Sequence, residues 1–216
     1  MTAATNSYSP AVTLYDYWRS SAAYRLRIAF GLAGWTYDAV PVDLTKGEHL
    51  TDENAARNPQ RLVPTAVVAG EVLTQSLAII EYLHETGAYA FLPPDALGRH
   101  RVRAISYAIA MEIHPVCNLS VARYASTEGE AITMGTWMQH FIPKGLSGVE
   151  AMLRPGDRYC HGDTVTMADI CLVPQLYNAQ RWEVDLTPFP AIRERFAALG
   201  ALPAVAAAHP DMHRPN

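Results

Sequence analysis

Adjacent prolines at 93 and 94, inside Phe91-Leu92-Pro93-Pro94-Asp95, divide this chain into two stretches of different character. No helix continues through such a pair, because each proline removes an N–H and clashes with the preceding turn. Before the break, short strand-like runs alternate with helical spacing; after it, the apolar residues follow helical spacing throughout. A length of 216 residues suits one large domain or two small ones, and the break selects two. We therefore expect an α/β domain over 11–90, a linker, and an all-helical domain over 98–210.

The first stretch reads β-α-β-α-β-β-α. Val12–Tyr15 and Tyr37–Val42 are strand candidates, separated by a helix over Ala22–Leu32 that ends at the capping residue Gly34. A short irregular helix fits Gly47–Asn58. Ala66–Val68 and Glu71–Leu73 form a hairpin about Gly70, and Leu77–Glu85 is a helix stopping near Gly87. In the second stretch Val102, Ile105, Ile109, Ile113 and Val116 share one helical face, which Pro115 should kink or loosen. A helix over much of Ile132–Leu153 should be weakened in its middle by Pro143 and Gly145. Helices are also expected over Thr166–Trp182, Phe189–Leu199 and Leu202–Ala207, followed by an irregular tail from His209.

Charge and cysteine usage narrow the class. With 17 Lys and Arg against 21 Asp and Glu, the net charge is −4 and the cations are scattered, which argues against a nucleic-acid surface. No apolar run approaches the roughly 20 residues that span a bilayer. Residues 1–10 lack the basic start and apolar run of a secretory signal and read as a loose tail. The 3 cysteines, Cys117, Cys160 and Cys171, have neither metal spacing nor an even count, which fits a reducing compartment. A cytoplasmic protein without metal is the expectation.

Chemistry concentrates where strands hand over to helices. Arg19, Ser20 and Ser21 fall in the turn before the first helix, where unpaired N–H groups and the helix dipole attract an anion. A hydroxyl there can donate to that anion and a guanidinium can grip a carboxylate; alternatively the serines merely cap the helix. Val63-Pro64-Thr65 precedes a strand. A cis Pro64 would turn the Val63 N–H and C=O toward an extended peptide-like ligand, or the proline simply marks a strand edge. Gln75-Ser76 opens a helix, as a carboxylate site or as a cap. Thr166 with Asp169 is a capping box, a folding element. Arg181 is a surface charge or a second carboxylate clamp. His114 and Asn118, four apart, share a helical face near Ser120; His114 is a general base or a satisfied interior histidine. Neither a glycine-rich phosphate loop nor a Gly-x-Ser-x-Gly elbow is present.

Taken in order, YWRSSAAYRLRIAF (17–30), NPQRLVPT (58–65), QSLAIIEYL (75–83), IHPVCNLSV (113–121), GDTVTMADICLVPQLYNAQR (162–181) and VDLTPFP (184–190) resemble the glutathione transferase superfamily, most closely its zeta class of maleylacetoacetate and maleylpyruvate isomerases. The resemblance implies a thioredoxin-like N-terminal domain, a helical C-terminal domain, a homodimer and glutathione as cofactor. Ser20 matches the hydroxyl that stabilises the glutathione thiolate, with Ser21 and Ala22 beside it. Val63, ahead of cis Pro64, matches the partner of the cysteinyl backbone; Gln75 and Ser76 match the grip on the γ-glutamyl carboxylate; His49 matches a contact to the glycyl end. His114, Asn118, Leu119 and Ser120 match the helical domain's approach to glutathione, and Arg19 and Arg181 the residues that hold an acidic substrate.

The implied reaction is thiolate addition to a cis double bond, rotation, and loss of the thiolate. Alternatives are a transferase or dehalogenase acting on small electrophiles such as α-haloacids, and a glutathione-binding module without turnover. Three departures stand out. Ala22 replaces the cysteine of the usual Ser-Ser-Cys turn, which removes chemistry that needs a protein thiol. The segment 121–137, a lid over the substrate site, is short for the class. The finish HPDMHRPN also differs. Asn118-Leu119-Ser120 resembles the maleylacetoacetate type.

Overall fold

The computed structural model describes residues 10–128 and 132–215. Residues 1–9 of the expected N-terminal tail, Asn216 and residues 129–131 of the lid segment lie outside the described residues. The chain forms two compact units: the chain up to Phe91 together with the stretch from Pro203 onward, and Leu92–Leu202.

In the first unit, strand β1 (Val12–Asp16) leads into helix α1 (Ser21–Ala33), then β2 (Asp38–Pro41), a 3-10 turn (Glu48–Leu50), helix α2 (Asp52–Arg57), β3 (Thr65–Val68), β4 (Glu71–Thr74) and helix α3 (Ser76–Glu85). This is the expected order. The sheet runs β2-β1-β3-β4. β1 and β2 are parallel, as a strand-helix-strand crossover requires, and β3 is antiparallel to both β1 and β4. α1 stops at Gly34, whose φ of 70° is the left-handed cap that glycine adopts without strain. Its apolar side chains Leu26, Ile28 and Phe30 are buried together with Leu14 of β1 and Ile79, Ile80 and Leu83 of α3.

The C-terminal stretch belongs to this unit, not to the helical one expected to run to 210. Helix α10 (Pro203–Ala207) closes on α1, where Gly31 meets Ala204 so tightly that a Cβ there would lie 3.3 Å from that of Ala204. The tail beyond His209 is not irregular: Pro210–His213 is a 3-10 turn.

The second unit holds α4 (Ala96–Tyr107), a π-helical segment (Ala108–Ile113), α5 (His114–Val116), α6 (Leu119–Glu128), α7 (Met134–Met152), α8 (Met167–Arg181) and α9 (Pro190–Gly200). Pro93–Asp95 is not a free linker. The Asp95 carboxylate accepts the Gly98 N–H at 2.7 Å and caps α4, while Arg99 Nε donates to the Pro93 carbonyl at 2.8 Å.

Of the two effects expected of Pro115, a kink or a loosened end, the second is found: the helix widens into a π turn ahead of it and ends one residue beyond it. Helix α6 lies outside the helices expected from the sequence. α7 runs unbroken through Pro143 and Gly145, because Met138, Ile142, Leu146 and Val149 form a fully buried stripe along it. Four such side chains contribute about 1.5–3 kcal/mol each, which outweighs the roughly 3 kcal/mol an internal proline costs. Gly145 is there for contact: a Cβ on it would lie 2.4 Å from Cγ1 of Ile113.

Candidate functional site

The sheet register brings several expected residues to one end of the first unit. Tyr15 pairs with Thr65, and Thr65 pairs with Thr74. The end of β1, the start of β3 and the end of β4 therefore lie side by side. Asp16 pairs with Pro41, so the loop after β2 leaves from the same end. Segments carrying Ser20, Val63, Gln75 and, through the loop, His49 emerge together from residues far apart in sequence. Neighbouring strands lie about 4.8 Å apart, so β1 to β4 spans about 10 Å, the length of three extended residues.

Ser20 is the N-cap of α1. Its Oγ accepts the Ala23 N–H at 3.2 Å, and its backbone N–H donates to the Tyr17 carbonyl at 2.8 Å. Both readings of Ser20 are thus compatible, because the oxygen caps through a lone pair and retains its proton. Ser21 opens the helix and Ala22 follows, both partly exposed. The Val63-Pro64 peptide is cis. Gln75 caps α3 at φ 67°, ψ 103°, a conformation that non-glycine residues rarely hold and that clusters at ligand sites. Its side-chain amide donates to Gln60 Oε1. Ser76 is buried, and its Oγ accepts from Arg25 Nη1 at 3.3 Å, which leaves the hydroxyl proton to donate elsewhere. His49 lies in the 3-10 turn, where its carbonyl accepts from Asn54 Nδ2 at 2.8 Å; its Nδ1 is buried without a hydrogen-bond partner.

Arg19 points along the same turn. Nη2 donates to the Tyr17 hydroxyl at 3.1 Å, and the guanidinium carbon lies 4.7 Å from the Trp18 ring centroid. Arg19 lines a cavity of about 630 Å³, together with Tyr17, Thr45, Lys46 and His213. Ser20, Gln75 and Ser76 are not among its lining residues. The pKa of His213 is lowered by burial and by the nearby charge of Arg27. Its Nε2 lies 3.0 Å from the Ala207 carbonyl, which only accepts, so that nitrogen carries the ring proton.

The second unit holds the remaining candidates: His114, Asn118, Leu119, Ser120 and Arg181. Here one expectation fails. His114 and Asn118 do not share a helical face, because the helix ends at Val116 and Asn118 is non-helical. Asn118 Oδ1 accepts from the Ser120 N–H at 3.0 Å and from the Ser120 hydroxyl at 2.9 Å, and so caps α6. Arg181 ends α8 with its guanidinium carbon 5.2 Å from the Trp182 ring centroid. The Thr166–Asp169 box is structural. The Asp169 carboxylate accepts from the Cys160 N–H at 2.7 Å and from the Thr166 N–H and hydroxyl at 2.8 Å. Burial raises the Asp169 pKa, and these hydrogen bonds counter the rise.

No cysteine supplies the thiol that Ala22 lacks. All three are buried; burial pushes Cys117 up to about 11 and Cys160 well above its ordinary range, so neither is a thiolate at pH 7. Among the described residues no cluster of metal-ligating side chains occurs, and no helix is long and apolar enough to cross a membrane.

Sequence reading missed Arg25, Arg27 and Asp16. Arg27, 2 % exposed, donates to Asp16 Oδ2 at 2.5 Å, to the Trp18 carbonyl at 2.9 Å and to the Ala208 carbonyl at 3.1 Å. A signal was present: Ala23, Arg27 and Phe30 recur at helical spacing, which places an arginine on the buried face of α1.

Comparison with known proteins places this arrangement. Residues 10–85 match the N-terminal domain of glutathione S-transferase, and residues 142–206 match its C-terminal domain. A maleylacetoacetate isomerase of Rhizobium meliloti is 54% identical over 210 residues, which cover 94% of this chain and 97% of that protein. The holo structure of a maleyl pyruvate isomerase, a bacterial zeta-class glutathione S-transferase, is 42% identical with a TM-score of 0.89, covering 94% of this chain and 99% of its own. A maleylacetoacetate isomerase of Anaeromyxobacter dehalogenans, solved with GSH bound in the active site, is 40% identical with a TM-score of 0.86, covering 96% of this chain and 98% of its own. With a thioredoxin-like α/β unit followed by a helical one, this chain belongs to the zeta class of the glutathione S-transferase family.

Proposed function

We propose that this protein is a glutathione-dependent cis–trans isomerase of an unsaturated dicarbonyl diacid of the maleylacetoacetate type. One observation carries the reading: Ser20 caps α1 through an oxygen lone pair and keeps its proton at the positive end of a 13-residue helix. A thiol held there loses its proton more readily than the free thiol value of about 8.5, because the helix end and the hydroxyl favour the charged form. The adjoining residues fit a tripeptide. Val63 offers an N–H and a C=O to its backbone, and Ser76 offers a hydroxyl proton beside Arg25 at the amino end of α3. Ser21, Ala22, Pro64, Gln75 and His49 adjoin the same strand ends and turns, and the family pattern adds His114, Asn118, Leu119 and Ser120 as glutathione contacts.

Glutathione held by these residues would supply thiolate chemistry, a reversible addition to the cis double bond that allows rotation and returns the tripeptide unchanged. Ser20 donates to the sulfur in its charged form and holds it at the helix end. Arg19 and Arg181 orient the carboxylates of the acid. Arg19 is pre-organised by Tyr17 and Trp18. Ala22 and the buried cysteines favour this redox-neutral route over one that needs a protein thiolate. A cytoplasmic homodimer completes the reading: the family pattern supports the dimer, and the free cysteines fit a reducing compartment.

The test is calorimetry with reduced glutathione, then assays with maleylacetoacetate, maleylpyruvate, dichloroacetate and a chloronitrobenzene side by side. The expected result is binding and diacid isomerisation with no net loss of glutathione. Consumption of glutathione by the halogenated compounds without isomerisation of either diacid would overturn the reading.

A further inference from the structure

We propose that Arg214, on the C-terminal tail, is a positioning residue for the acid-binding side of the site, acting through the Trp18 indole on Arg19. This rests on the reading that Arg19 meets the substrate's carboxylate. Its guanidinium carbon lies 5.5 Å from the Trp18 ring centroid, while that of Arg19 lies 4.7 Å from the same centroid. Two cations are thus held by one π system, each within the range at which a ring attracts a cation. Arg214 is not among the residues that line the cavity beside Arg19, although its neighbours His213 and Pro215 are. Arg214 is exposed and meets the Trp18 ring without lining the cavity.

The main chain on both sides of the Trp18 ring is anchored, and the ring itself meets Tyr17 at 6.3 Å between centroids as well as the two arginines. The Trp18 backbone is secured, since its carbonyl accepts from Arg27 Nη2 at 2.9 Å. The tail is secured too: Arg27 Nε donates to the Ala208 carbonyl at 3.1 Å, and His213 Nε2 reaches the Ala207 carbonyl at 3.0 Å. Arg27 thus fixes the tail and the Trp18 backbone at one point. The half-buried indole lies between an anchored main chain and the tail, with Arg214 the residue that meets it from the tail side. The indole is the nearer of the two rings that hold Arg19, at 4.7 Å against 6.0 Å for Tyr17; among the described residues Arg19 makes one hydrogen bond, to the Tyr17 hydroxyl, and its Nε is buried without a hydrogen-bond partner. A rotated indole removes the ring that lies 4.7 Å from the Arg19 guanidinium carbon. The carboxylate it meets would then be gripped less firmly, whereas Ser20, Gln75 and Ser76, which do not line the cavity, would be undisturbed.

Four variants test this by steady-state kinetics and thermal melting: Arg214→Ala, Arg214→Lys, Arg19→Ala and the Arg19→Ala/Arg214→Ala pair. Arg214→Ala should raise KM for the diacid about three- to tenfold, with KM for glutathione and the melting temperature unchanged. Arg214→Lys should recover part of the loss, and Arg214→Ala should add nothing once Arg19 is alanine. If Arg19→Ala raises the diacid KM and Arg214→Ala does not, the positioning role is wrong and the substrate site stands. If Arg19→Ala leaves the diacid KM unchanged, the functional reading of Arg19 fails first. An Arg214→Ala effect that persists in the Arg19→Ala background, or that moves both ligands' KM together with the melting temperature, also overturns the inference.

Discussion

At Ser20 one oxygen must accept the Ala23 N–H at 3.2 Å and still direct a proton outward. Alanine removes both functions, whereas glycine is a tolerable cap that lacks the hydroxyl. Ser20→Ala should therefore cost about 1 kcal/mol of stability and about 10²–10³ in kcat. Ser20→Gly should show the same loss of kcat with only a few tenths of a kcal/mol in stability. Thermal melting and isomerase kinetics on the two variants separate cap from catalysis; a Ser20→Gly enzyme with wild-type kcat would exclude the hydroxyl from the chemistry. Ser20 was legible in the sequence because the turn and the helix start are local. Arg27 was harder to read: nothing near it in sequence shows that Asp16, Trp18 and Ala208 would all converge on one guanidinium.

Helix α7 shows how packing overrides local preference. Pro143 and Gly145 both disfavour helix, yet the helix is continuous because its buried stripe is worth more. The two glycines of that helix on either side of Leu146 and Ser147 should respond in opposite directions. At Gly145 an added methyl meets Ile113 at 2.4 Å, whereas at Gly148 nothing lies within 4 Å. Overpacking costs about 1–3 kcal/mol, and alanine gains about 1 kcal/mol over glycine in a helix. Gly145→Ala should thus lose up to about 2 kcal/mol, and Gly148→Ala should gain about 0.5–1 kcal/mol, both measured by denaturant unfolding. A stabilising Gly145→Ala would show that the close contact with Ile113 carries no weight. The break at Asn118 has the same lesson. Spacing alone placed His114 and Asn118 on one face, but an asparagine two residues ahead of a serine caps a new helix instead.

In the first unit Arg27 closes a circuit from β1 to the C-terminal tail, and its charge is 2 % exposed. Arg27→Met would leave the Asp16 carboxylate buried with no opposite charge, which costs about 3–5 kcal/mol. Because the Trp18 and Ala208 carbonyls would lose their donor as well, the tail should become susceptible to proteolysis in this variant while wild type resists. A melting temperature within a degree of wild type would refute the hub role. Short-range chemistry determined much of this protein by itself: the strand-turn-helix hand-overs, the proline break, the caps at Ser20 and Thr166, and the family to which their order points. Those features depend on neighbours a few residues apart, which a sequence displays directly. Tertiary structure alone decided that the tail returns to the first unit, that Arg27 is buried against Asp16, and that Arg19 and Arg214 share the Trp18 ring. Each of these joins groups across an element boundary, most of them far apart in sequence. Burial then selected the contacts that leave no charge or hydrogen-bonding group stranded from water.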